Sequence, residues 1–195
     1  CLYRGKYGNR DVMIVVTGMG RDTAVKAAEA VLRQDEVQKE RGLSVLITGF
    51  CGACRESLKA GDLVVYERVL DITAAGISGN RKYGPHSHKD RKFFDLTSTI
   101  SEGRLESVTC GCTGHVVSAP EEKKKLFDKY DVEVVDMESF WLIENLIKNG
   151  LSPDRICCIR AVSDVAGDRL PSYMENAGPG KIIGVDNGDI TSLES

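Results

Sequence analysis

The sequence predicts an α/β fold of three layers, with helices on both faces of a central mixed, mostly parallel sheet. Apolar, β-branched runs alternate with helical stretches along the chain, the order that builds such a sheet. The 195 residues hold no internal repeat, low-complexity segment or clear linker, so 1–195 reads as a single domain with a real core.

Each element has a local reason. Asp11 to Thr17 (DVMIVVT) is a short β-branched run that reads as a buried strand, broken by Gly18-Met19-Gly20. From Arg21 to about Arg41, Ala24, Ala27, Ala28, Val31 and Leu32 recur at helical spacing with charges between them, and Gly42 ends the helix. Leu43 to Thr48 is a second buried strand, closed by Gly49, and Asp62 to Thr73 is a long extended segment. The polar stretch Gly76 to Asp95 reads as a surface loop. Leu105 to Ser118 is extended again, and Pro120 stands at a natural first-turn position for a helix running to Tyr130. Val132 to Val135 is a short strand, Glu138 to Lys148 a helix ended by Gly150, and Arg155 to Val165 (RICCIRAVSDV) a last strand. Gly167 to Ser195 has weak periodicity.

Composition excludes several function classes. Basic residues number 26 and acidic residues 29, a net charge of -3, which lacks the basic excess of a nucleic-acid partner. No apolar run approaches the ~20 residues that span a bilayer, and the opening Cys1-Leu2-Tyr3-Arg4-Gly5 does not read as a signal peptide. The seven cysteines are odd in number, and Cys157-Cys158 lies inside an apolar run, so they read as reduced thiols of a cytoplasmic protein.

In α/β sheets, ligands bind beyond the carboxyl ends of the strands. Four strand ends carry unusual residues: Thr17-Gly18-Met19-Gly20, Thr48 to Ala53, Asp136-Met137-Glu138 and Ser163-Asp164. Taken singly, each has a plain alternative. Gly18-x-Gly20 serves as well for a tight turn as for close approach to a phosphate or sugar. Acids in a first helical turn favour the helix dipole, and Ser163-Asp164 would make an ordinary turn. Cys51-x-x-Cys54 has the context of a redox pair, and with Cys110-x-Cys112 offers four thiolates to zinc. The helix that would follow it is very short, however, and C-x-C is an unusual second half, so pocket-lining or core cysteines are the stronger reading and no metal or cofactor is expected. His86, His88 and His115 read as solvated or core histidines, and Lys123-Lys124-Lys125 as a wet helix face.

Three blocks in order change the weight of these alternatives. They are Val16-Thr17-Gly18-Met19-Gly20 before an Ala-rich helix; Thr48-Gly49-Phe50-Cys51-Gly52-Ala53 with Leu58-Lys59-Ala60-Gly61-Asp62-Leu63 after it; and Val135-Asp136-Met137-Glu138-Ser139 with Ile159 to Val165 beyond. Together they resemble the superfamily of purine nucleoside phosphorylases, uridine phosphorylases and methylthioadenosine/S-adenosylhomocysteine nucleosidases, over roughly residues 3 to 170. Val116 to Lys123, leading into the third block, is most similar to the hopanoid-associated branch, whose members remove adenine from an adenosyl lipid.

The resemblance implies a phosphorylase/hydrolase-like fold and a purine nucleoside as partner. It implies that Glu138 accepts hydrogen bonds from the ribose hydroxyls while Met137 packs against the sugar. Asp164, oriented by Ser163, would protonate or hydrogen-bond N7 of the leaving purine, which requires burial to favour its neutral form. Gly18, Met19, Phe50, Cys51 and Gly52 would line the base and ribose pocket, and backbone near Glu121 and Glu122 would meet the purine edge. The superfamily's phosphate ligands, typically an Arg three residues before a Ser, fall on Ile47 and Phe50, a poor anion site that favours water as nucleophile. The superfamily also has a first strand and helix, with the water-activating acid, ahead of the segment that opens this sequence, and a long C-terminal helix. The expected fold therefore lacks its first strand and last helix. The leading expectation is a purine nucleosidase acting on a 5′-substituted adenosine. The alternatives are a phosphate-dependent phosphorylase, a non-catalytic nucleoside binder, and a zinc or redox protein on Cys51 and Cys54. A homo-oligomer, dimer or hexamer, is implied by the same resemblance.

Overall fold

The computed structural model describes residues 1–34, 43–73, 93–96, 105–171, 182–186 and 189–193. The helix tail at Arg41, its stop at Gly42, most of the Gly76–Asp95 loop, and His86 and His88 lie outside the described residues. The strands are β1 (Leu2–Tyr7), β2 (Arg10–Val15), β3 (Val45–Ala53), β4 (Leu63–Asp71), β5 (Phe93–Asp95), β6 (Glu106–Cys112), β7 (Val134–Asp136), β8 (Ile156–Asp164), β9 (Ile182–Asp186) and β10 (Asp189–Leu193). The helices are α1 (Arg21–Leu32), α2 (Pro120–Tyr130) and α3 (Ser139–Lys148), with a short 3-10 turn at Pro153–Arg155 before β8.

The central sheet has six strands in the order β5-β4-β6-β7-β3-β8. It is mixed, as expected. Its long registers, β3 on β8 and β4 on β6, are parallel. The antiparallel pairings β3–β7, β4–β5 and β4–β8 are short. The β4–β8 pairing joins β8 back to β4, so the path β4-β6-β7-β3-β8 closes on itself.

The layers follow from side-chain alternation along the strands. Val134 of β7 joins one core with Ala24 and Ala28 of α1 and Phe140, Ile143 and Leu146 of α3. Its neighbour Val135 points the other way, into a second core with Leu126 and Tyr130 of α2. Thus α1 and α3 cover one face of the sheet and α2 the other. Pro120 opens α2 at its first turn, where its missing N–H is not needed, and Gly150 follows α3 with φ 93°.

Two expectations are corrected. The expected buried strand at 43–48 enters β3 with Ile47 buried but Leu46 61% exposed, so it is not buried on both faces. The run at Asp11–Thr17 forms a strand, but not a buried one. β2 pairs with β1 in a separate two-stranded sheet, and Ile14 is 59% exposed. β-Branched residues favour extended backbone, but burial needs a covering layer, and periodicity alone does not report one. In the weakly periodic C-terminal stretch, the described residues form the hairpin β9–β10.

The tightest apolar fit for a glycine in the sheet is at Gly111 of β6. A Cβ there would stand 2.5 Å from Ile72 Cδ1 and 2.9 Å from Val132 Cγ1, and both side chains are buried. We expect Gly111→Ala to overpack this core and destabilise the protein by about 1–3 kcal/mol in urea unfolding.

Candidate active site

The unusual strand ends meet, though not by the route expected. β3 and β8 run parallel, so their carboxyl ends, Cys51–Ala53 and Ser163–Asp164, lie side by side. β7 is antiparallel to β3 and brings Asp136–Glu138 in from the opposite direction. It reaches the same place because it is only three residues long. Gly52 registers against Val135 on one side and Asp164 on the other. Two interstrand steps place those backbones about 10 Å apart.

The shape of β7's end is set by Asp136. This buried carboxylate accepts the N–H groups of Glu138 and Ser139 on Oδ1, at 3.3 and 3.2 Å. It also accepts the Ser139 hydroxyl and, at 3.3 Å, the Tyr66 hydroxyl. Arg160 of β8 pairs with it at 3.3 Å and donates to Ser139 Oγ at 2.8 Å. Burial works against the Arg160 charge, but Asp136, Cys158, Tyr66 and Glu138 together outweigh this, and the guanidinium's pKa is raised. Burial also pushes the Tyr66 phenol well above its ordinary value, and Asp136 adds to the rise. Arg160 Nη1 reaches the Thr48 carbonyl at 3.4 Å, across the space that a side chain on Gly49 would fill. Asp136 is therefore the acid that caps α3, the role that first-turn acids were expected to share.

Glu138 is thereby left free for other work. Its backbone is the N-cap of α3, and its Oε1 accepts the Gly20 N–H at 2.6 Å. Gly20 begins α1 with φ 87°, a conformation that suits glycine. Met137 packs close to it, its Cε lying 3.9 Å from where a Gly20 Cβ would be. Arg21 stacks over the Trp141 ring at 4.2 Å and ties the same turn to α3. Gly18 (φ 80°) and exposed Met19 complete the turn, so its link to the site runs through Gly20. Burial raises the Glu138 carboxyl above its ordinary value of 4.5, while the Gly20 N–H opposes the rise.

Asp164 is buried at the end of β8. Its Oδ1 lies 2.6 Å from Ser163 Oγ, which also lies 3.1 Å from the Cys51 carbonyl. A Cβ on Gly52 would stand 2.9 Å from Asp164 Oδ2, so the glycine makes room for this carboxylate. The partner that sequence reasoning missed is Lys123. Its ammonium is 0% exposed and donates to Asp164 Oδ2 at 2.5 Å and to the Val165 carbonyl at 2.7 Å. The wet helix face is Lys124, which pairs with Asp128, and exposed Lys125. The signal was helical phase: Lys123, Leu126 and Tyr130 are the buried residues of α2.

The remaining expected residues are placed as follows. Cys51 is buried and Phe50 is 71% exposed on β3, beside Gly52. Glu121 pairs with Arg169 at 2.9 Å, and Glu122 with His115 at 2.8 Å, so His115 is not alone. Both glutamates stand in the first turn of α2, next to Lys123 in the chain. Ile47, at the first phosphate-ligand position, is buried in the core. All seven cysteines are free thiols. Burial pushes Cys51 and Cys54 up to about 12, and Cys110 and Cys112 well above their ordinary value, which keeps them protonated and poor as nucleophiles or ligands. No helix among the described residues is long and apolar enough to cross a membrane.

Residues 1–177 match the phosphorylase superfamily. The chain belongs to that superfamily. It is 29% identical over 130 residues to a 5′-methylthioadenosine/S-adenosylhomocysteine nucleosidase of Haemophilus influenzae (strain PittEE), covering 63% of this chain and 55% of that protein. The chain thus spans about half the length of the curated relatives it matches. In fold it is similar to the futalosine hydrolase of Helicobacter pylori strain 26695, with a TM-score of 0.65 at 19% identity over 85% of this chain and 72% of that one. It is also similar to the Streptococcus pneumoniae MTA/SAH nucleosidase solved with 8-aminoadenine, with a TM-score of 0.63 at 18% identity over 85% and 73% of the two chains. These superfamily relatives are enzymes.

The raised Glu138 carboxyl has a consequence for stability. Its ionised form is penalised in the fold, so its contribution is lost as pH rises from the unfolded value of 4.5 through the raised folded one. We expect Glu138→Gln to match wild type in urea midpoint at pH 4 and to exceed it at pH 8.

Proposed function

We propose that this protein is a purine nucleosidase that uses water to cleave the N-glycosidic bond of a 5′-substituted adenosine, releasing adenine. The observation that carries this reading is a pair of carboxylates on strand ends that meet, each with a different support. Glu138 is held by a backbone N–H, and Asp164 is held by a buried ammonium.

Cleavage builds positive charge on the ribose and negative charge on the purine. In this reading Glu138 accepts the 2′- and 3′-hydroxyls and faces the positive charge, which a carboxylate stabilises. Met137, Gly18 and Met19 bound the sugar. Asp164 gives a proton to N7, and Ser163 orients it, so the purine leaves as a neutral base. Phe50, Cys51 and Gly52 line the base and ribose, and backbone at Glu121 and Glu122 meets the purine edge. Water is preferred to phosphate because Ile47 is turned into the core and Phe50 offers a ring, so neither supplies a donor for an anion. The nucleosidase and hydrolase names of the relatives support the same choice. The free thiols fit a reducing cytoplasm, and a homo-oligomer is the proposed assembly. The 5′ group is a thioether, homocysteine or the lipid tail of the hopanoid branch.

The test is adenine release from methylthioadenosine, S-adenosylhomocysteine and adenosine, with and without phosphate. Release without phosphate is expected, and phosphate-dependent turnover yielding ribose-1-phosphate would overturn the hydrolase. Asp164→Asn and Glu138→Gln should each lower kcat at least about 100-fold; near-normal turnover by Asp164→Asn would remove its role as acid.

A further inference from the structure

We propose that Asp136 is a positioning residue for the reaction: by capping α3 in company with Arg160, it keeps the Glu138 carboxylate off the helix and on the ribose. This rests on Glu138 being the ligand of the ribose hydroxyls. The helix offers Glu138 a competing partner. Glu138 stands at the N-cap of α3, the position from which a side chain ordinarily accepts N–H groups of the first turn. The positive end of the helix dipole also attracts a carboxylate there. Yet its side chain makes no cap hydrogen bond and reaches Gly20, 118 residues away in the chain, at 2.6 Å.

The N–H groups that would draw Glu138 back have acceptors of their own. Asp136 Oδ1 takes those of Glu138 and Ser139, and the Cys112 sulfur takes that of Phe140. Asp136 can serve in so buried a place because its charge is matched. Its side chain is 1% exposed and that of Arg160 6%, and their 3.3 Å pair spans β3. A carboxylate sealed that deeply without a cation would be costly. The Ser139 hydroxyl lies between the two, donating to Asp136 and accepting from Arg160 at 2.8 Å. The guanidinium has room to cross because Gly49 has no side chain, and a Cβ there would collide with Arg160 Nη1. An amide at position 136 is a weaker acceptor and leaves a buried cation opposite the helix start. The carboxylate at hand to replace it is Glu138, which already feels the Arg160 charge. Turned to that task, Glu138 leaves Gly20 and the ribose hydroxyls.

The experiment measures kcat and KM of the full chain on methylthioadenosine and on its 2′-deoxy analogue, which lacks a hydroxyl that Glu138 accepts. The ratio of the two kcat/KM values is the hydroxyl preference, and comparing it between proteins cancels the intrinsic reactivities of the substrates. Glu138→Gln should reduce the preference of the wild type. Asp136→Asn should lower kcat on methylthioadenosine about 10- to 100-fold and reduce the preference in the same way. Added to Glu138→Gln, it should cost less than about 3-fold more. An Asp136 that only stabilises the fold would lower turnover of both substrates equally. That result, a wild-type preference in Asp136→Asn, or full additivity with Glu138→Gln overturns the proposal. An unchanged preference in Glu138→Gln overturns instead the reading of Glu138 as ribose ligand, and this proposal with it. Should Asp136→Asn not fold, Ser139→Ala decides, because it keeps both charges and removes the hydroxyl between them. It should reduce the preference about 2- to 10-fold, and an unchanged preference overturns the proposal.

Discussion

The buried pair of Asp136 and Arg160 joins more of this molecule than any other interaction described in it. Asp136 sits at the end of β7 and Arg160 in the middle of β8, and β3 lies between them in the sheet. The guanidinium crosses β3 over Gly49 and reaches the carboxylate, the Ser139 hydroxyl and the Thr48 carbonyl. The carboxylate in turn holds the first N–H groups of α3 and the Tyr66 hydroxyl of β4. Burying two charges costs several kcal/mol each by desolvation, so the pair adds little net stability, and its worth lies in the geometry it enforces. A strand slip or a tilt of α3 would leave one charge unpaired.

That geometry separates two tasks that adjacent acids would otherwise share. Asp136 caps the helix, so Glu138 is spared and its carboxylate turns to the Gly20 N–H. Asp164, on the far side of Gly52, meets an ammonium instead of a backbone dipole. Two carboxylates at strand ends that meet are thus given different partners, a backbone N–H for Glu138 and a buried ammonium for Asp164. The missing side chain of Gly52 is a condition of this arrangement, because a Cβ there would press on both Asp164 oxygens.

Much of the fold was legible in local signals. Pro120 marked the start of α2, Gly150 the end of α3, and β-branched runs the strands β4 and β8. These signals act within a few residues of chain, and they survive folding because the tertiary structure agrees with them. The candidate site was legible in part, through the strand-end residues Glu138, Ser163 and Asp164. It failed where a residue's environment depends on what packs over it. β2 has the sequence of a buried strand and is exposed, while Lys123 has the sequence of a wet helix face and is sealed.

By itself, then, the sequence determined the kind and order of the elements and the set of acids and glycines at the strand ends, because backbone preference and hydrophobic period are local. Only the tertiary structure decided that β8 returns to β4, that β7 enters the site against the direction of β3, and that Lys123 rather than Lys124 meets Asp164. Those outcomes turn on partners far apart in the chain. A buried charge takes the partner that strand pairing and helix docking bring within reach, and no short stretch of sequence carries that information.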